Sequence, residues 1–116
     1  MPPFNLDQKR FSPVRNSEGG LVKSDSIFAF EQTGKRFQAT YWGERFSDGH
    51  LIGIMTSETE AELIYHCREN ATDHLEAGQA KAVFSHTDDG KVLITMNWAW
   101  LNGSLASGTS VYEEIL

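Results

Sequence analysis

Arg36-Phe37-Gln38-Ala39-Thr40-Tyr41-Trp42 sets Phe37, Ala39 and Tyr41 on alternate positions from Arg36, Gln38 and Thr40. Successive side chains of a β-strand point to opposite faces, so this run reads as a half-buried strand. The segments around it read the same way. Ser26 to Glu31 (Ser-Ile-Phe-Ala-Phe-Glu) is a short aromatic and β-branched run ended by Thr33-Gly34-Lys35. Ser47-Asp48-Gly49 is read as a turn into His50-Leu51-Ile52-Gly53-Ile54-Met55, an apolar strand with Gly53 expected at a bulge or tight bend. In His86-Thr87-Asp88-Asp89-Gly90-Lys91 the Asp-Gly pair predicts a hairpin with a two-residue primed turn. Val92 to Leu101 then places Val92, Ile94, Met96, Trp98 and Trp100 on one face. Asn102-Gly103-Ser104 turns the chain, and Ser107 to Ile115 is a final strand.

One segment has two readings. Ser57-Glu58-Thr59-Glu60 fits a helix capping box, and Glu60, Leu63, Ile64, Cys67, Ala71 and Leu75 follow a helical spacing. Ala61, Leu63, Tyr65 and Cys67 also alternate as a strand does, and periodicity does not decide between the two. A strand to about Arg68, with a turn through Asn70-Ala71-Thr72-Asp73, fits the neighbouring meander better.

The count is then about eight strands joined mostly by short loops. The expected fold is all-β: an antiparallel up-and-down meander closed into a small calycin- or lipocalin-like barrel. Residues 1–20 carry Pro2, Pro3, Pro13 and the Gly19-Gly20 pair, and read as an irregular lead-in with one short strand, Phe11 to Arg15, docking an edge. Residues 21–116 form the barrel domain.

A chain of 116 residues has room for one domain. Sixteen acidic residues against ten basic ones give a net charge of −6, and the basic residues are scattered singly or in pairs. That distribution lacks the basic stripe that binds nucleic acid or an anionic membrane. Cys67 is the sole cysteine, so no internal disulfide forms. The start, MPPFNLDQKRF, has no apolar core of a secretory signal, and a cytoplasmic location is the default expectation.

Gly49-His50-Leu51-Ile52-Gly53, Tyr65-His66, Gly78, Gly90-Lys91, Trp98-x-Trp100, Ser107-Gly108-Thr109-Ser110 and Glu113-Glu114 occur in an order and spacing similar to those of small bacterial proteins commonly labelled N-acetylglutamate synthase. The resemblance runs from Ser26 to the C-terminus and implies a small β domain. Family members often carry an acid two places before the first tryptophan, where this chain has Met96. The residues do not carry the labelled chemistry. Acetyl transfer from coenzyme A relies on a glycine-rich loop before a helix to hold pyrophosphate, and Gly103 to Gly108 precedes a strand.

No nucleophile elbow, phosphate loop or Cys-x-x-Cys is present, so no catalytic residue is assigned. His66 and Cys67 are strand neighbours on opposite faces, and His50, His74 and His86 have no ligand-like spacing; neither metal nor cofactor is expected. Three functions remain. The first is a binding module whose barrel holds a small, partly apolar molecule, with Trp98 and Trp100 as walls and Tyr65 or Glu113 as polar handles. The second is an enzyme using the same cavity, with His50 or His66 as acid–base group and Tyr65 as partner. The third is a protein-interaction module presenting an edge strand or acidic face. A core filled by its own aromatics competes with the cavity in the first two, since rings of this size fill space quickly.

Overall fold

The computed structural model of the chain describes residues 4–16, 26–43, 46–101 and 107–115. The residues read above as Pro2, Pro3, Gly19-Gly20 and the turn at Asn102-Gly103-Ser104 lie outside these. Eight strands follow in chain order: β1 (Arg10–Asn16), β2 (Ile27–Thr33), β3 (Arg36–Trp42), β4 (Phe46–Met55), β5 (Glu60–Glu69), β6 (Leu75–His86), β7 (Val92–Trp100) and β8 (Ser107–Ile115). Each pairs antiparallel with its neighbour, and β8 pairs back onto β1, so the sheet closes as an up-and-down barrel.

Alternation of buried and exposed side chains is what closes it with one wet and one dry face. In β3, Phe37, Ala39 and Tyr41 are buried, and Arg36, Gln38, Thr40 and Trp42 are exposed. The segment with two readings is a strand: Ala61, Leu63, Tyr65 and Cys67 point inward, and Glu62, Ile64 and His66 outward. Its capping-box serine serves a hairpin turn instead. Ser57 Oγ accepts from the Thr59 N–H (3.2 Å), while the Thr56 and Ser57 N–H groups donate to the Glu60 carbonyl.

Two turns differ from their sequence reading. The loop from Thr87 to Lys91 is longer than two residues: Gly90 N–H donates to Thr87 O, Thr87 N–H to Lys91 O, and only Gly90 takes a positive φ (89°). A primed type I′ turn needs two positive values. The two-residue turn lies at Gly34-Lys35, between the register pair Thr33 and Arg36, with Gly34 at φ 61°. Asp48, read as part of a turn, sits within β4 at φ 54°, where the β4–β5 register shifts between Ser47 and His50. It is a β-bulge.

The lead-in is also more than an edge strand. β1 pairs β8 from Arg10 to Asn16 and β2 at Arg10 and Phe11, so it is the strand that closes the barrel. Ahead of it, Phe4 and Leu6 are buried, and residues 4–9 fold over one barrel end. Phe4 stacks on His86 (4.7 Å between centroids) and packs on Phe84. Gln32 clamps the segment: its Oε1 accepts from Leu6 N–H (2.7 Å), and its amide nitrogen donates to the Phe4 and Gly34 carbonyls.

Inward glycines face aromatic residues across the strand pairs. Register partners are Tyr41 and Gly49, Phe37 and Gly53, Tyr65 and Gly78. A Cβ on Gly49 would lie 2.4 Å from the Tyr41 ring, on Gly53 2.3 Å from Phe37, and on Gly78 2.4 Å from the Tyr65 ring and hydroxyl. Gly53 is therefore a ring seat within an unbroken ladder, where a bulge or bend was expected. A Gly49→Ala substitution drives Cβ into both the Tyr41 ring and its carbonyl oxygen (2.6 Å). It should destabilise the fold by about 1–3 kcal/mol in urea denaturation, an overpacking cost.

Candidate functional site

The barrel has two unlike ends. At the end closed by residues 4–9, the inward carboxylate Glu114 accepts from Val92 N–H (3.0 Å) and from Lys9 Nζ (2.9 Å). The Lys9 hydrogen bond foremost, with the Val92 N–H, holds its carboxyl below the usual range. At the other end, where β5 and β7 finish, Tyr65, Trp98 and Trp100 come together. The Tyr65 and Trp100 rings meet edge-on at 5.0 Å, and the tryptophans lie 6.5 Å apart. These three keep the largest residual exposure of the buried apolar set, 7–9%, against 0–1% for Leu6, Phe11, Leu51 and Ile94. They are the core residues nearest to water.

Hydroxyl and thiol groups line the interior beside them. Trp98 Nε1 donates to Ser110 Oγ at 2.7 Å in a buried bond, and the Ser110 and Tyr112 side chains are hydrogen-bonded. Tyr41 Oη donates to the His66 carbonyl at 2.8 Å and contacts the Cys67 thiol. Tyr65 differs from all of these. Its hydroxyl is buried over Gly78 and has no hydrogen-bond partner among the described residues. An unpaired buried hydroxyl costs about 1–3 kcal/mol, so this one stands out against its satisfied neighbours.

Of the residues singled out from sequence, Tyr65, Trp98 and Trp100 share this site. The other three do not. His50 and His66 are register partners on the outer wall of β4 and β5, with rings 5.6 Å apart. Glu113 is also on the outer side; its neighbour Glu114 turns inward, but toward the closed end. The inward parity of β8 belongs to Ser110, Tyr112 and Glu114, and that of β4 to Gly49 and Leu51. Sequence reading passed over Tyr41, Cys67, Ser110 and Tyr112 as polar groups. Their signal was present in the same alternation that placed Trp98 and Trp100 inside.

Burial is the main cause of the shifted acidities here. It raises Tyr41 and Tyr65 above the ordinary phenol value, with further contributions from Cys67 and Tyr112. It pushes Tyr112 up to about 12 and Cys67 up to about 11, the latter helped by Glu76.

An aromatic-lined antiparallel barrel, plugged at one end and bearing inward hydroxyls toward the other, is a calycin-like architecture. The chain belongs to the Avidin-like protein family, whose sequence model matches residues 4–115. No curated protein and no solved structure matches it. The N-acetylglutamate synthase label carried by the proteins that the sequence resembles finds no support; the family is a small β-barrel family that typically binds small ligands.

The raised acidities fix a pH dependence. A group more acidic unfolded than folded contributes nothing below its unfolded value and costs stability as pH rises beyond it. Stability should hold up to about pH 9, the ordinary thiol value, and then fall, first through Cys67 between 9.0 and about 11 and then through the three tyrosines above 10.0. Thermal melts from pH 7 to 11 check this, and Cys67→Ala should flatten only the first part of the fall.

Proposed function

We propose that the chain is a binding protein that holds a small, partly apolar molecule in the Tyr65–Trp98–Trp100 end of its barrel. The observation that carries this reading is the buried Tyr65 hydroxyl, unpartnered among the described residues, between aromatic walls. Ligand sites combine a mostly apolar lining with a few placed polar groups, and an unsatisfied donor inside such a lining is what a ligand acceptor repairs. The ring seats support it: glycines let Tyr41 and Tyr65 lie against the wall instead of across the barrel axis. Family membership supports it too, because avidin-like proteins bind small ligands such as biotin. Trp98 and Trp100 serve as walls, and Tyr65 as the polar handle. The enzyme reading loses its acid–base groups from this end of the barrel, since both imidazoles are on the outer wall.

Native mass spectrometry of the purified protein, and titration with biotin followed by tryptophan emission, test the reading. Tyr65→Phe separates its two halves. Removing an unpaired hydroxyl should leave the empty protein equally stable or more stable, by up to about 1–2 kcal/mol, and weaken ligand binding about tenfold. A Tyr65→Phe protein that loses stability without change in binding would show the hydroxyl to be structurally paired and the handle to be elsewhere.

A further inference from the structure

The outer wall holds a feature that the interior site does not use. Ile52, Ile54 and Ile64 are 54%, 46% and 57% exposed on adjacent strands, with Ile52 and Ile64 direct register partners. Following register partners across the strands extends this patch into two rows. One runs Glu31, Gln38, Ile52, Ile64, Gln79 from β2 to β6; the other runs Thr33, Arg36, Ile54, Glu62, Lys81 over the same strands. These rows, continued by Asn97 and Ala99 of β7 and Ser107 and Thr109 of β8, line an open depression of about 1280 Å³ on the barrel's outside.

Scattered exposed isoleucines need no explanation, but a contiguous patch rimmed by polar residues marks an interaction surface. The charges around this one follow a rule. From β2 to β6 they read Glu31, Arg36, then the isoleucines of β4, then Glu62, Lys81. About β4 the pattern is antisymmetric: Arg36 on one side answers Glu62 on the other, and Glu31 answers Lys81. Their sum is zero in a chain of net charge −6. None of the four is in an ion pair with a described residue.

We infer that this face binds a second copy of the chain, in an isologous dimer whose two-fold axis lies along β4. Such an axis, in the plane between the faces, sets β3 of one copy over β5 of the other and β2 over β6. Arg36 then meets Glu62 of the second copy, twice by symmetry. Glu31 lies over Gln79 of the second copy, one register pair (roughly 7 Å) from its Lys81 and within reach of that long side chain. Ile52 and Ile54 face their own symmetry mates on the axis. The barrel geometry agrees. Strands tilt about 35–45° from a barrel axis, so rotation about a strand crosses the two barrel axes at about 70–90°. At that angle the waist of each barrel receives the girth of the other. A neutral, self-complementary face is also where two −6 chains approach with least repulsion.

Sedimentation velocity on the full chain tests this through paired charge reversals. Wild type should be a dimer, and Arg36→Glu and Glu62→Arg should each weaken it about tenfold or more, because each homodimer then sets like charges opposite. Mixing the two variants should restore dimers. In the mixed pair the introduced glutamate of one copy meets the introduced arginine of the other, and the native Glu62 of the first meets the native Arg36 of the second. Rescue by mixing excludes misfolding as the cause of dissociation. Ile54→Lys, which puts two ammonium groups on the axis, should dissociate the dimer without rescue. A wild type that stays monomeric at on the order of 100 μM, variants that dimerise as wild type does, or a mixture that stays monomeric would each overturn the proposal.

Discussion

An aromatic ring lying on the glycine directly opposite it is the contact on which this barrel depends. Tyr41 on Gly49, Phe37 on Gly53 and Tyr65 on Gly78 bridge two of the strand seams, β3–β4 twice and β5–β6 once. A glycine in a strand costs about 0.5–1 kcal/mol, and a fully buried ring contributes about 1.5–3 kcal/mol, so each pair is favourable overall. The pairs also pin register. A slip by one residue turns a ring outward and sets a bulky neighbour opposite its former place, which no local adjustment repairs. Flattened onto the wall, these rings leave the interior to be shared among many aromatic side chains without strain. Phe28 takes up that freedom by stacking on Tyr41 at 4.6 Å and meeting Tyr112 edge-on at 4.9 Å.

From this constraint follows the difference between the two ends. At one end Phe37 meets Phe84 and Phe30, and the segment bearing Phe4 and Leu6 lies over them, so the barrel is sealed with hydrocarbon and the satisfied carboxylate of Glu114. At the other, the rings carry hydroxyl or indole N–H groups, and Tyr41, Trp98 and Tyr112 each have a partner for theirs. A polar group inside a low-dielectric lining has to be paired or it destabilises the fold. The position of the exception, Tyr65, between Trp100 and Gly78 and among the least buried of the core residues, is what gives the interior a direction.

Much of the architecture is legible in the sequence because period-two alternation is written into almost every strand. Phe37-x-Ala39-x-Tyr41 and Val92 through Trp100 need no tertiary information to be read as strands with one inner face. The same rule resolves Ala61 to Cys67 once Ser57 is seen to bond within a turn. What escapes is whatever depends on partners across the sheet. Asp-Gly at 89–90 signals a turn but not its length, since that is set by the register of His86 with Val92. Asp48-Gly49 carries turn chemistry, yet a bulge uses the same positive φ. Phe4 and Leu6 sit in a proline-bearing, polar lead-in, and partners far along the chain, Gln32 in β2 with Phe84 and His86 in β6, explain why they fold back. The site divides along the same line: Trp98, Trp100 and Tyr65 follow from parity, whereas the titratable chemistry of His50, His66 and Glu113 carries no direction and parity sets them outside.

Parity also ties the inner site to the outer face. β4 and β5 supply Leu51 and Tyr65 to the interior from one register pair, and the next pair along, Ile52 and Ile64, goes to the wall. The bulge at Asp48 adds a residue to β4 below the pairs that matter, so that Gly49 faces inward under Tyr41 while His50 and the isoleucines face out. A one-residue slip of the whole of β4 against β3 and β5 would expose Leu51 and bury Ile52 and Ile54. The Tyr41 seat, the wall behind Tyr65 and the isoleucine patch would be lost together. The Tyr65 end and the outer face are therefore two sides of one register, and a change that alters either by backbone shift alters both.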